Sequence, residues 1–540
     1  MEPEPVADSA PAVADPVAQP ADPEPEVAEP VGPDETGPTG LEESAIDLQP
    51  VLEANYAPYV AAQDPLPSSY DLRVAHPTWV TPVKNQIGDR CWAYAVIASA
   101  ESSIARNGAV SAMTDLSEAQ LYAATRATDQ RAGQPNAGTS QGGLAEDAAT
   151  VWSLWRGVRT EDAYPIARVG ETFTVEDQNS SDFHLQNWLI FPAPRNDQGE
   201  YVQANVDAIK AAIRELGALT IMYSTTAQNA YNSNRAAYYS WRPEELHWSN
   251  HAVAVIGWDD NYPKENFTVT PPADGAFLIK NSWGTGWGDQ GYFWLSYYSY
   301  AIYTASHFDL KAAGDAPGGD GWEHNYGWDV GGWWGGTVPG QATASVFTSG
   351  EGLQDLGAVQ FVTPEPQMSY EIQVLVGGTS GAQSGVAQSI TASGGTVLTG
   401  TETFAGWHTV DLPRAVRLDP GTRFTVVVKF TAAAGGGLGA VPIDQSAPNS
   451  GATVLGRSYV LVNGQWSDLA ARDTYGYRYR ANIKAFTSDV VATTQVAVGH
   501  VFVSGVPQIG ETLTATMPTT VPASATVSYT WLRDGNPISG

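Results

Sequence analysis

The chain predicts an α+β fold with a β-rich C-terminal half, and three observations carry that expectation. Between residues 92 and 216, apolar residues recur at helical spacing, as in Val206, Ile209, Ala212 and Ile213. Between residues 219 and 298, short apolar runs bounded by Gly, Asn and Ser read as buried strands. Beyond residue 312 the composition turns to Thr, Val, Gly and Ala in alternating runs, separated by turns such as Asp419-Pro420-Gly421. A length of 540 residues accommodates three or more domains.

The first 72 residues hold 16 Asp and Glu and no Lys or Arg, with a Pro every few positions through residue 40. Such a stretch buries too little apolar surface to order itself, so residues 1–65 are expected to form a disordered acidic, Pro-rich tether. The prolines forbid helix through residue 40. A short inhibitory segment within 41–65 stays open. Helices are expected at Trp92–Asn107, Glu118–Thr128, Glu146–Trp155 and Val206–Leu216, and strands at Leu219–Ser224, His251–Gly257 and Gly275–Lys280. The aromatic run from Phe293 is expected to be the last main strand of this region, residues 66–310. A Gly-rich linker follows at 311–321. Runs such as Tyr370–Val376, His408–Leu412 and Arg423–Phe430 predict an antiparallel β-sandwich over 322–488.

The formal charge of −31 argues against nucleic acid as a partner. No run of about twenty apolar residues is present, so no membrane span is predicted. Met1 is followed by acid and Pro rather than by basic and apolar runs, so no signal peptide is visible. One cysteine in the whole chain fits either a cytosolic protein or a bacterial exported one. The tether and the β modules favour export, to a secreted or cell-surface location, with a signal upstream of Met1.

That lone cysteine, Cys91, cannot form an internal disulfide. It is a buried filler or a reagent. It stands before an Ala-rich helical pattern, where unpaired N–H groups and the helix dipole favour thiolate. His251 opens an apolar strand pattern, and Asn281 closes another before a Gly- and Trp-rich loop. Each of these alone reads as structural. Together, Gln86, Cys91, His251 and Asn281 supply an oxyanion donor, a nucleophile, its imidazole partner and an orienting amide. Trp283 is placed to shield the His–Asn hydrogen bond from water.

These segments resemble the papain-like cysteine peptidases (the C1 family). The resemblance rests on Thr81–Gln86, the Cys91-Trp92-Ala93-Tyr94 run, Asp115–Leu121, Gln141–Leu144, His251-Ala252-Val253 and Lys280–Gly288, and it spans roughly residues 66–310. It implies a two-lobed domain with the site between a helical and a β-rich half. The implied reaction is hydrolysis of a protein or peptide substrate through a thioester on Cys91. His251 then protonates the leaving amine and activates water, while Gln86 and the Cys91 N–H hold the oxyanion, with Trp92 in support. Gly142 and Gly143 would pair with substrate backbone. Leu144, Ala145, Met222 and Ala252 would line an apolar pocket for the residue two positions before the scissile bond. No cofactor and no metal are implied; turn chemistry accounts for Asp259-Asp260-Asn261. One departure stands out: Gln86 precedes Cys91 by five positions where the family usually has six, and Arg90 replaces a small residue. Arg90 either lowers the thiol pKa or points into solvent.

The 322–488 region resembles the lectin-like domain of certain bacterial papain-like peptidases, through Gly406–Val410, Val426–Phe430 and Ile483–Phe486. Trp322, Trp328, Trp333 and Trp334 either stack on sugars or pack the sandwich; packing is the favoured expectation. A cell-surface glycan or protein is the partner such β modules would serve. Residues 489–540 resemble the opening of a bacterial Ig-like repeat, expected as a partial β domain. Two readings compete with an active endopeptidase. One is a catalytically weak or dead papain-like scaffold acting as a surface binding or adhesion protein. The other is a transglutaminase-type acyl transferase, which the Asn281-Ser282-Trp283 block fits poorly.

Overall fold

The computed structural model describes residues 49–108, 113–127, 142–227, 230–316, 318–329, 332–333, 337–431, 440–446, 454–472 and 478–490, together with four short strands beyond residue 500. Residues through Asp489 form one compact unit, and those from Val490 form another. In the second unit, Phe502–Ser504 pairs with Thr514–Thr516 and Leu532–Arg533 with Asn536–Pro537. The rest of the segment expected as a partial Ig-like repeat lies outside the described residues.

The helices are α1 (Gln49–Glu53), α2 (Ala57–Ala61), α3 (Cys91–Arg106), α4 (Glu118–Ala127), α5 (Ala145–Ser153) and α6 (Gln203–Leu216), besides shorter turns. The central α3 is buried over 14 residues, which is why its apolar residues run on all faces rather than in a stripe. By contrast, α6 is amphipathic and buries Val206, Ile209, Ala212 and Ile213. It ends at Gly217, whose φ of +99° suits a residue without Cβ.

The peptidase-side strands are β1 (Phe183–Phe191), β2 (Leu219–Tyr223), β3 (His251–Asp259), β4 (Ala276–Lys280), β5 (Tyr292–Ser296) and β6 (Ile302–Ala312). The sandwich adds β7 (His324–Gly327), β8 (Ala342–Thr348), β9 (Gln354–Thr363), β10 (Met368–Val376), β11 (Ala405–Leu418), β12 (Arg423–Thr431), β13 (Ser458–Val462) and β14 (Ile483–Asp489). One sheet runs β7-β14-β9-β11-β1-β6-β2-β3-β4-β5, so it passes from the sandwich into the peptidase region without a break. The junction is the antiparallel pairing of Ala405, Gly406 and Trp407 with Ile190, Leu189 and Trp188. A second sheet, β10-β12-β8-β13, covers the sandwich core.

Two expectations are corrected. Phe293 does not begin the last main strand: the 11-residue β6 follows it and runs to Ala312, two residues into the expected linker. The segment assigned to the tether is folded from Gln49 onward. Tyr56 is fully buried and stacks on Phe404 at 5.7 Å, the Asn55 carbonyl accepts from Gln367 Nε2 at 2.6 Å, and Arg214 donates to the Asp64 carbonyl at 3.0 Å. Tyr56, Tyr59 and Val60 supply the apolar surface that the Pro-rich stretch lacks.

The tryptophans pack. Trp333 is 2% exposed and meets Trp188 edge-on, and Trp322 lies across Gly357 of β9. Trp328 donates to the Val346 carbonyl at 2.8 Å. Trp334 lies outside the described residues. No helix among the described residues is long and apolar enough to cross a membrane.

Candidate active site

Cys91 is the first residue of α3 and His251 the first of β3. Asn281 follows the last residue of β4. The chain thus sets each candidate side chain at the end of a rigid element, where packing along the element fixes its position. One turn on from Cys91, Tyr94, Ala95 and Ala98 share a small cavity wall with Val253, Ala254, Asn281 and Ser282. The Thr220 hydroxyl of β2 donates to the Ala95 carbonyl at 3.1 Å, holding the helix against the sheet.

His251 and Asn281 meet directly, with Nε2 2.9 Å from Oδ1. The Trp283 indole stacks on the imidazole at 4.6 Å and 22° and is only 5% exposed, so it covers that hydrogen bond. The other ring nitrogen, Nδ1, is buried and has no hydrogen-bond partner. Burial pushes the imidazole pKa down to about 4, opposed by the Asn281 hydrogen bond. Cys91 and His251 are both fully buried. Tyr223, cross-strand partner of His251, lies 5.7 Å from its ring.

Gln86 is fully buried. Its Nε2 donates to the Gly88 carbonyl at 2.9 Å, and its Oε1 accepts from Ser282 Oγ at 2.7 Å. Ser282 also donates its backbone N–H to Asn281 Oδ1 at 2.8 Å. Sequence reasoning missed this serine, which ties the Gln86 amide to the Asn281 amide. Its one signal was its place between Asn281 and Trp283.

The five-residue spacing from Gln86 to Cys91 is accommodated by Gly88 at φ +58°. Arg90 does not point into solvent. It is 5% exposed, donates to the Ile87 carbonyl at 2.7 Å and lies over the Tyr122 ring at 4.4 Å.

An ion network around Lys84 braces the same loop. Lys84 Nζ reaches Glu101 at 2.9 Å, and Asp115 and Glu118 each at 2.7 Å. Lys280 donates to Thr81 Oγ1 at 2.9 Å. Burial raises the Glu118 carboxyl to about 7 and lowers Lys280 to about 8. The Lys84–Gln86 segment is joined to the Asn281 loop by Gln86 N–H to Ser282 O at 2.7 Å and Gly284 N–H to Lys84 O at 3.0 Å.

Trp92 is fully buried, and Gly143 lies flat against its indole. The Gly142 carbonyl accepts from Arg126. Leu144 caps the start of α5, followed by Ala145. Met222 and Ala252 are direct cross-strand partners. These four apolar residues are between 1% and 5% exposed. Gln141 lies outside the described residues. Among the described residues, no group of three or more His, Cys, Asp or Glu is arranged to hold a metal ion.

A helical half packs here against a β-rich half, and the helix that begins at Cys91 lies against the strand that begins at His251. Residues 66–307 match the papain family cysteine protease model, and residues 326–487 match the lectin-like domain model. The chain therefore carries a papain-family cysteine protease domain followed by a lectin-like domain. It is 26% identical to mouse (Mus musculus) pro-cathepsin H over 238 residues, 44% of this chain and 62% of that protein. It is also 26% identical to chicken (Gallus gallus) cathepsin K over 222 residues, 40% of this chain and 56% of that one. The chain thus spans about three-fifths of the length of these relatives. Among solved structures, it shares its fold with the clostridial cysteine protease Cwp84 after propeptide cleavage, with a TM-score of 0.62, 22% identity, and coverage of 78% of this chain and 100% of that one. A structure of the protease and lectin-like domains of Cwp84, a surface layer associated protein of Clostridium difficile, matches with a TM-score of 0.59 at 22% identity over 84% of this chain and 91% of that one.

Proposed function

We propose that the chain is a cysteine endopeptidase that hydrolyses peptide bonds through Cys91, His251 and Asn281. The observation that carries this reading is the His251–Asn281 hydrogen bond of 2.9 Å under Trp283, with Nδ1 left without a partner. Asn281 fixes the ring so that Nδ1 is the nitrogen free to exchange a proton with the thiol. In the reaction, the Cys91 thiolate attacks the carbonyl carbon, and the oxyanion takes N–H groups from the Cys91 backbone and Gln86. His251 protonates the departing amine. Water, deprotonated by the same imidazole, then releases the acyl group. The preference is for a hydrophobic residue two positions before the scissile bond, at Leu144, Ala145, Met222 and Ala252. A secreted or cell-surface location is supported by the acidic N-terminal composition and the β modules. The domain boundaries proposed are 66–310 and 322–488.

A second reading is a papain-like scaffold without turnover, acting as a surface binding protein. It draws on the full burial of Cys91 and His251 and on the Gln86 amide being tied to Gly88 and Ser282. Reaction with a thiol-directed epoxide separates the two. Rapid mass addition at Cys91, abolished in His251→Ala, is expected of the endopeptidase. Addition no faster than that of a free thiol would favour the binding protein.

A further inference from the structure

Lys484 and Asp329 meet with both side chains completely buried, Nζ lying 2.8 Å from Oδ1. The peptidase chemistry uses neither. Asp329 lies two residues beyond β7, and Lys484 stands on β14, the strand that pairs with β7. Asn482, 1% exposed, donates its Nδ2 to Asp329 Oδ2 at 3.3 Å and to the Gly332 carbonyl at 3.2 Å. The Trp407 ring of β11 lies 5.0 Å from Nζ. Gly327, cross-strand partner of Lys484, gives the pair room: a Cβ there would stand 3.3 Å from Asp329 Oδ1 and 3.4 Å from Lys484 Nζ. An ammonium carries three donors, and among the described residues Nζ gives a hydrogen bond to Asp329 alone. Asn482 Oδ1 is also buried without a partner. Two charges removed from water repay their desolvation only when their remaining donors and acceptors are satisfied. Here they are not, so the trio is better accounted for as an amine and a carboxyl placed to react than as an ion pair at rest.

We propose that Lys484 and Asp329 condense into an intramolecular isopeptide bond, with Asn482 holding the carboxyl in place. One proton passes from Nζ to Oδ1 along their contact, giving an amine and a carboxylic acid, the uncharged pair that a site without water admits. The Nζ lone pair then forms a bond to Asp329 Cγ. Negative charge develops on Oδ2, where the Asn482 amide already donates. A second proton moves from Nζ to Oδ1, the Cγ–Oδ1 bond breaks, and Oδ1 leaves as water. Nζ keeps one hydrogen as a secondary amide, so the balance is ammonium plus carboxylate to amide plus water, with no oxidant, reductant or co-reactant. Contact between the two groups replaces the encounter that the same condensation needs in solution. The bond would join positions 155 residues apart and fasten β7, the end strand of its sheet, to β14. Closing so long a loop constrains the unfolded chain as a disulfide does, in a chain whose one cysteine can form no internal disulfide.

The test is mass spectrometry of the full chain, purified and then denatured. The parent is expected to be lighter than its sequence by the mass of one water. A tryptic digest should yield one pair of peptides joined through Asp329 and Lys484, with no cleavage after Lys484. Asp329→Ala and Lys484→Met are each expected to show their full sequence mass and no joined pair. Asn482→Ala is expected to leave part of the chain unlinked. Should a variant fail to fold, the digest of the parent still decides. The proposal is overturned if the parent shows its full sequence mass with Lys484 cleaved normally, or if the water is still lost in Asp329→Ala. Loss of ammonia in place of water would put the bond on Asn482 and overturn the assignment to Asp329.

Discussion

Gly143 lies against Trp92, the residue that follows the proposed nucleophile Cys91, so a single methyl group there tests the site geometry. A Cβ at this position would overlap Trp92 Cε2 and stand 2.6 and 2.8 Å from Nε1 and Cδ2, all short of the 3.4 Å of ordinary contact. Trp92 is fully buried and cannot swing away. The strain must move either the Gly142–Leu144 segment or the start of α3, which bears Cys91. Overpacking of this kind costs about 1–3 kcal/mol, roughly 2–4 °C in Tm per kcal/mol for a domain of this size. Displacement of reacting groups by about 1 Å costs on the order of 100-fold in rate. Gly143→Ala is therefore expected to lower kcat/KM on a peptide substrate by about two orders of magnitude while the protein still folds. Gly286→Ala is the control, since a Cβ there meets nothing within 4 Å. Paired measurements of kcat/KM and Tm decide the matter. If Gly143→Ala retains activity within threefold of the parent, the reasoning about this contact is wrong.

Three further outcomes are expected. Asn281→Ala leaves His251 Nε2 without its acceptor at a cost of about 1–3 kcal/mol, so kcat/KM should fall roughly 10- to 100-fold; a change below twofold would remove Asn281 from the orienting role. His251 and His307 are both depressed to about 4 by burial. The unfolded chain then binds more protons between pH 6.5 and 4, so their stabilising contribution is complete above pH 6.5 and is lost as pH falls through that window. Glu118, raised to about 7, works oppositely between pH 4.5 and 7. Denaturant unfolding across this range should therefore show His307→Gln losing about 2–3 kcal/mol less stability on acidification than the parent; equal losses would contradict it. Gly406→Ala should open the junction between the domains, because a Cβ there falls onto the Trp188 carbonyl and the φ of +128° is strained for any other residue. A Tm drop of about 5 °C or more, or a split transition, is the expected result, and an unchanged single transition would refute it.

The helices and the candidate site residues were readable because each carries a local signature. Apolar spacing marked α3 and α6 within a few residues of their observed ends. Cys91, His251 and Asn281 each sit beside distinctive neighbours in the chain. The bracing residues lack such marks. A serine between Asn281 and Trp283, or glutamates on α3 and α4, read from sequence as ordinary polar positions, and their meaning lies in partners such as Gln86 and Lys84. The β1 strand was missed for a related reason. His184, Gln186 and Asn187 interrupt its apolar run, and they are spent on Asp320 and Asp309 at the edge of the domain junction.

The same polar residues explain why the two domains share a sheet. Apolar side chains alone specify that surfaces meet, but they leave register loose. Here the register of β11 on β1 is pinned by directional bonds, Thr409 N–H to Asn187 Oδ1 at 3.1 Å and Thr409 Oγ1 to the Gln186 carbonyl at 2.5 Å, and Gln360 of the neighbouring β9 reaches the Leu185 carbonyl at 3.0 Å. Trp155 stacks on His184 at 3.7 Å beside them. Without β11, β1 would present a long unpaired edge carrying Trp188 and Phe191, the kind of edge that recruits other strands. The sandwich therefore completes the β lobe that holds β3. The position of His251 depends, through β1, β6 and β2, on strands that lie more than 150 residues further along the chain.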